Sequence, residues 1–169
     1  MKILILLALS IMVSSAIYGH EAVTTTVVSK DTLYYDYQMK SVKNAESASY
    51  YRLLAKERTS KTQRDVFQDY YMNGKLRAQG GFNFLDLSND KNTVLDGDVT
   101  TYYPNGSMKW RCNYVNGKRE GYFTLLMHDG SIGVIDYQNG EPKYDYISIT
   151  HKDGTVTQKS LGHYRNLIQ

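Results

Sequence analysis

The chain has one cysteine, Cys112, and two prolines in 169 residues. A single cysteine excludes an intrachain disulfide framework, so packing and backbone pairing must hold the fold. So few prolines argue against a low-complexity chain. Charge of one sign is lacking as well. Twenty Lys and Arg stand against seventeen Asp and Glu, a formal +3 that is no nucleic-acid footprint. Phenylalanine is scarce, four against sixteen tyrosines. Tyrosine suits half-buried strand faces, where the ring packs and the hydroxyl stays wet. The apolar run at residues 3–13 covers eleven positions, too few for a bilayer span of about 20.

That run follows Lys2 and precedes Ser14, Ser15 and Ala16, the layout of a secretory signal peptide. Cleavage after Ala16 and cleavage after Gly19 both fit. Loss of Lys2 leaves nineteen basic and seventeen acidic residues, a charge near +2. No cysteine lies in residues 14–22, where a lipid anchor needs one. The expectation is an exported protein, periplasmic or extracellular, neither a lipoprotein nor membrane-spanning once mature. The length suits one domain. Its expected parts are a signal peptide at 1–19, a strand and short-helix region at 23–68, β-hairpin repeats at 69–160 and a tail at 161–169.

Asn-Gly and Asp-Gly pairs favour tight hairpin turns, because Gly and Asn tolerate positive φ best. Gly74, Gly106, Gly130 and Gly154 form one series, each after Asn or Asp, with Gly117 and Gly140 between its later members. The steps from Gly106 to Gly130 and from Gly130 to Gly154 are 24 residues, and Gly117 to Gly140 is 23. Such a period holding two turns means a repeat of two strands. The step from Gly74 to Gly106 is 32, eight longer, with the excess assigned to the polar loop "SNDKNTVL" at residues 88–95.

A two-residue turn at Asn116 and Gly117 predicts Trp110 opposite Phe123, Met108 opposite Leu125 and Cys112 opposite Gly121. The same rule at Asn105 and Gly106 puts Tyr103 beside Met108, Thr101 beside Trp110 and Val99 beside Cys112, with Pro104 able to widen that turn. Both turns predict one apolar face, centred on Trp110. The other face carries Tyr102, Lys109, Arg111, Glu120, Tyr122 and Thr124, with Arg111 opposite Tyr122 and able to stack on its ring. "SIGVIDY", "YDYISIT" and "TVTQKS" continue the meander. Upstream, "KDTLYYDYQ" reads as a first strand, "NAESA" as a short helical turn capped by Asn44, and "SYYRLLAKE" as a strand, although Leu53, Leu54 and Ala55 suit a helix equally.

"YYMNGKLRAQGGF" and "YYPNGSMKWRCNYVNGKREGYF" resemble the variant MORN repeats of bacterial proteins often labelled antitoxin-like, many of them from Bacteroidetes. "NAESASYYRLLAKE" resembles the region before those repeats. The resemblance covers roughly residues 32–157. It implies an antiparallel β-meander used for binding or scaffolding, without established chemistry. Such repeats place a second glycine six residues after the turn glycine; Gly80 fits, whereas Cys112 and Asp136 stand at the next two equivalent positions.

His128 with Asp129, and His151 with Asp153, have the residue types of metal ligands or acid-base pairs. Both flank predicted turns, which select Asp for backbone reasons, so the structural reading is preferred. His20 and His163 have no clear partners. Cys112 reads as a packed thiol rather than a nucleophile. The glycines join strands to strands, so no helix N-terminus follows to cradle phosphate. Asn105-Gly106-Ser107 matches a glycosylation acceptor in form and a hairpin turn more simply. No catalytic, cofactor or metal residue is assigned. The binding candidates are Tyr102, Lys109, Arg111 and Tyr122, in a mainly β, non-catalytic protein of the cell envelope that binds a protein or glycan. The alternative is an antitoxin-like immunity protein acting outside the cytoplasm.

Overall fold

The computed structural model describes residues 23–28 and 32–164. The signal-peptide assignment therefore lies outside the described residues, as does most of the C-terminal tail. The fold is mainly β. Its strands are β1 (Thr24–Val27), β2 (Leu33–Tyr35), β3 (Ser41–Val42), β4 (Tyr50–Arg58), β5 (Gln63–Tyr71), β6 (Leu76–Phe84), β7 (Val94–Tyr102), β8 (Met108–Val115), β9 (Lys118–Leu126), β10 (Ile132–Gln138), β11 (Glu141–Pro142), β12 (Tyr146–Thr150) and β13 (Val156–Ser160). All belong to one antiparallel sheet, in the order β13-β12-β10-β9-β8-β7-β6-β5-β4-β2-β3. β1 pairs with β4 beside β2, and β11 pairs with β10. It is a meander: from β4 to β10 each strand neighbours the next.

Two kinds of turn alternate along it. Asn116 (φ 50°) and Gly117 (φ 80°) form a two-residue turn with Val115 opposite Lys118, and Asn139 (φ 54°) and Gly140 (φ 90°) repeat it. The other series is one residue longer. At Tyr103-Pro104-Asn105-Gly106-Ser107, the Gly106 N–H donates to the Tyr103 carbonyl (2.8 Å) and the Tyr103 N–H to that of Ser107 (2.8 Å). Proline's fixed φ fits the first central position of such a turn, and glycine takes the left-handed residue that closes it. Asn105 Oδ1 accepts from the Ser107 N–H (2.9 Å) and hydroxyl (2.7 Å). The turns ending at Gly74, Gly130 and Gly154 share this backbone pattern.

The longer turn corrects part of the predicted register. Met108 lies opposite Tyr102 rather than Tyr103, and a bulge then restores Thr101 opposite Trp110 and Val99 opposite Cys112. Lys109 is the extra residue. A second correction falls on β8 and β9. Pairing runs as predicted from Val115 with Lys118 to Asn113 with Glu120, then slips by two, giving Arg111 with Thr124 and Trp110 with Leu125. The pairs Trp110 with Phe123, Met108 with Leu125 and Cys112 with Gly121 do not form. Gly121, at φ 73°, supplies the left-handed backbone of this irregularity. A slip of two keeps every side chain on its face, so the apolar face survives.

That face holds the core: Phe67, Ala78, Val99, Cys112, Phe123, Leu125, Ile135, Ile147 and Ile149 are buried in one cluster. Trp110 is partly buried against it, its ring 5.6 Å from that of Phe123, so the indole sits at the margin and not at the centre. Gly80 is fixed by packing, since a Cβ there would lie 2.6 Å from Val99 Cγ2. Buried Tyr114 and Tyr137 lie opposite the strand glycines Gly97 and Gly121. Arg119 joins both rings, donating to Tyr114 Oη (3.2 Å) and Tyr137 Oη (3.1 Å) and so linking one repeat to the next.

The N-terminal region departs furthest from expectation. A strand, β1, precedes the predicted first one. The short helical segment is a three-residue 3-10 turn, Ala45–Ser47, whose Asn44 side chain accepts from the Ser47 N–H. There is no α-helix among the described residues. "SYYRLLAKE" is strand β4, because nine consecutive pairs with β5 satisfy its backbone. Among the described residues no helix is long and apolar enough to cross a membrane.

Candidate functional site

The face opposite the core presents one unbroken register row: Gln68, Gln79, Thr100, Arg111, Thr124, Val134, Ser148 and Gln158, from β5 to β13. The bulges fall to either side of this row, so it crosses the sheet without a step. All but one of its side chains are polar. Near β5 the row runs through a groove of about 100 Å³ whose lining includes Arg64, Gln68, Gln79, Asp98 and Thr100. Arg64 is held there by Glu57, at 2.7 Å from Nε and 2.6 Å from Nη2. The Gln79 amide donates to Tyr102 Oη (3.2 Å), and Tyr70 Oη donates to Gln68 Oε1 (3.1 Å). These tyrosines orient the two amides, leaving the Gln79 carbonyl and the Gln68 amino group for other partners.

Of the four predicted binding residues, Arg111, Tyr122 and Lys109 are exposed and Tyr102 is half-buried. Arg111 stands in the row between Thr100 and Thr124. It does not lie opposite Tyr122, because the slip in β9 moves that residue along the strand. Tyr122, 71% exposed, pairs instead with Asp136 of β10. Asp136 accepts from Lys143 Nζ at 2.9 Å. That bond raises Lys143 above the ordinary lysine value. Tyr144 is exposed and stacks on Tyr146 with centroids 5.3 Å apart. Tyr102 acts through Gln79, and Lys109 is the bulge residue.

The acid-base candidates serve their turns. Asp129 and Asp153 accept from the backbone N–H groups of Ser131 and Thr155, both at 2.9 Å, and bonds from these two residues lower both carboxyls below their ordinary value. His128 tilts against Tyr103, centroids 5.4 Å apart. It lines a groove of about 470 Å³ between neighbouring turns, with Pro104 and Met127. His151 spans Ser131 Oγ (3.3 Å) and Thr157 Oγ1 (2.9 Å). Cys112 is fully buried and burial raises its thiol, which donates to the Asn113 carbonyl at 3.2 Å. Among the described residues no group of three or more His, Cys, Asp and Glu is placed to hold a metal. His163 is exposed in the 3-10 turn Leu161–Tyr164, and His20 lies outside the described residues.

Sequence reasoning missed the ionic cluster at the N-terminal end of the core face. Arg52 is buried between the rings of Phe67 (4.4 Å) and Tyr35 (5.1 Å) and binds Asp69 and Asp90. Burial opposes its charge, but its bonds to Asp69 and Asp90 outweigh that and hold its pKa above the ordinary value. Burial also pushes the Asp69 carboxyl up, against Arg52 and Arg77. The guanidinium keeps its proton, so a charged donor always faces Asp69. A signal existed: Arg52 and Asp69 face each other across the hairpin closed by Thr59 and Thr62.

No family model, curated protein or solved structure matches this chain.

Proposed function

We propose that this is an exported, non-catalytic β-repeat protein of the cell envelope that binds or scaffolds a protein or glycan partner through the hydrated face of its sheet. The observation that supports this reading is the register row, a continuous strip of polar side chains with Arg111 exposed between two threonines. The resemblance of the Tyr-x-Asn-Gly segments to MORN-type repeats, which implies scaffolding without chemistry, agrees with it. Purified protein used as bait on envelope extracts tests the reading. A specific partner is expected, retained by the native chain and lost on combining Arg111→Ala with Tyr122→Ala. Absence of any partner, or retention by the double variant, rejects it.

A further inference from the structure

We infer that the partner is a neutral linear polysaccharide, lying across the strands along the row from Gln68 to Thr124 and stacking a ring on Tyr122; the inference rests on the binding reading above. Adjacent strands are about 4.8 Å apart, so the stretch from β5 to β9 spans about 19 Å and offers a hydrogen-bonding side chain at each strand. A chain of sugars presents hydroxyls at a similar repeat, each both donor and acceptor. The row answers in kind, with two amides, two hydroxyls and a guanidinium. Tyr70 and Tyr102 hold the two glutamines in fixed orientation, which reduces the ordering cost of binding.

Charges on this face balance, with Lys109 and Arg111 standing against Asp98 and Glu120, which favours a neutral ligand. Arg64 is paired with Glu57, and Lys143 with Asp136. Asp98 and Thr100 are two residues apart on β7, and their register partners on β8 are Asn113 and Arg111. A protein partner would call for an apolar centre with pocketed anchors, whereas Val134 is the only apolar member of the row from Gln68 to Gln158. The exposed ring of Tyr122 lies two residues along β9 from Thr124, at the end of this stretch, where the C–H face of a sugar ring can rest on it.

Calorimetric titration of the full protein with cellohexaose and chitohexaose, and with cellobiose as the short control, tests this. At least one hexasaccharide should bind, with the disaccharide weaker by about tenfold or more. Gln79→Ala combined with Thr100→Ala, and separately Tyr122→Ala, should each weaken the hexasaccharide about tenfold. Lys61→Ala, in the turn after β4, should leave it unchanged. Thermal melts matching the native protein would show that the variants are folded. No hexasaccharide binding, or binding indifferent to the row variants, overturns the inference. If saccharides fail while an envelope protein is still captured through Arg111 and Tyr122, the glycan assignment falls and the binding reading stands. If both fail, both fall.

Discussion

Arg52 grips Asp69 with two nitrogens, Nε at 2.6 Å and Nη2 at 2.9 Å, in a register pair between neighbouring strands. Its third nitrogen, Nη1, reaches Asp90 at 2.6 Å, and Arg77 adds a bond of 3.2 Å to Asp69. Asp90 comes from the loop whose eight extra residues interrupt the 24-residue period. That loop also touches β3, through the bond from the Ser41 N–H to the Ser88 carbonyl. The insertion thus supplies a carboxylate that closes the end of the core over a buried guanidinium.

Arg52→Ala should lower unfolding free energy by about 3–5 kcal/mol, because it leaves the buried Asp69 carboxylate with only the 3.2 Å bond from Arg77. Exchanging both partners, Arg52→Met with Asp69→Leu, should cost far less or nothing. Denaturant unfolding of the two variants checks this. Equal losses in both would show that volume, not charge, governs the site.

Gly80→Ala should cost about 1–3 kcal/mol by overpacking, since the new methyl meets a buried valine branch. Val99→Ala added to it should recover part of that loss, a non-additivity readable from a double-mutant cycle. Simple addition of the two losses would contradict the packing described.

Gly121→Ala separates backbone from packing. A Cβ at this position meets nothing within 4 Å, while φ is 73°. The cost should therefore be about 1–2 kcal/mol from the left-handed backbone alone. No change to a facing residue should relieve it, and relief by shortening Tyr137 would place the strain elsewhere.

Asp86 accepts from the Ser88 hydroxyl (2.7 Å), the Asn92 amide (2.8 Å) and the Ser88 and Asn89 N–H groups (2.8 and 3.1 Å). These bonds, the Ser88 hydroxyl first, hold its carboxyl well below the ordinary carboxylate value. A depressed folded-state pKa means that the stabilising effect is complete above the unfolded value of about 3.9 and is lost as pH falls through the folded one. An NMR titration of the Asp86 carboxyl carbon should give a midpoint well below the ordinary carboxylate value. A midpoint at the ordinary value would show that the loop is not closed around it.

Much of the architecture was legible because turn chemistry is local. Asn116-Gly117 and Asn139-Gly140 fix their hairpins by the φ values that such pairs tolerate best, and the alternation of Met108, Trp110 and Cys112, and of Phe123 and Leu125, reveals a strand period without reference to any neighbour. The register errors came from local choices with two outcomes. Pro104 suits the wider turn, which adds a residue, and the bulge at Lys109 removes its effect. The candidate face was legible from the same alternation, so Arg111 and Tyr122 were placed on the correct side. Their relation was not, because the slip around Gly121 depends on how a full strand settles against its neighbours.

The amino-acid sequence by itself determined the strand period, the positions of the turns and which side chains share a face, since these follow from backbone preferences spanning a few residues. Only the tertiary structure decided that Gln68, Gln79, Thr100, Arg111 and Thr124 form one line, and that Asp90 reaches back to Arg52. Both depend on summed registers and on a loop crossing strands distant in sequence, where the gain comes from pairing groups that no local preference brings together.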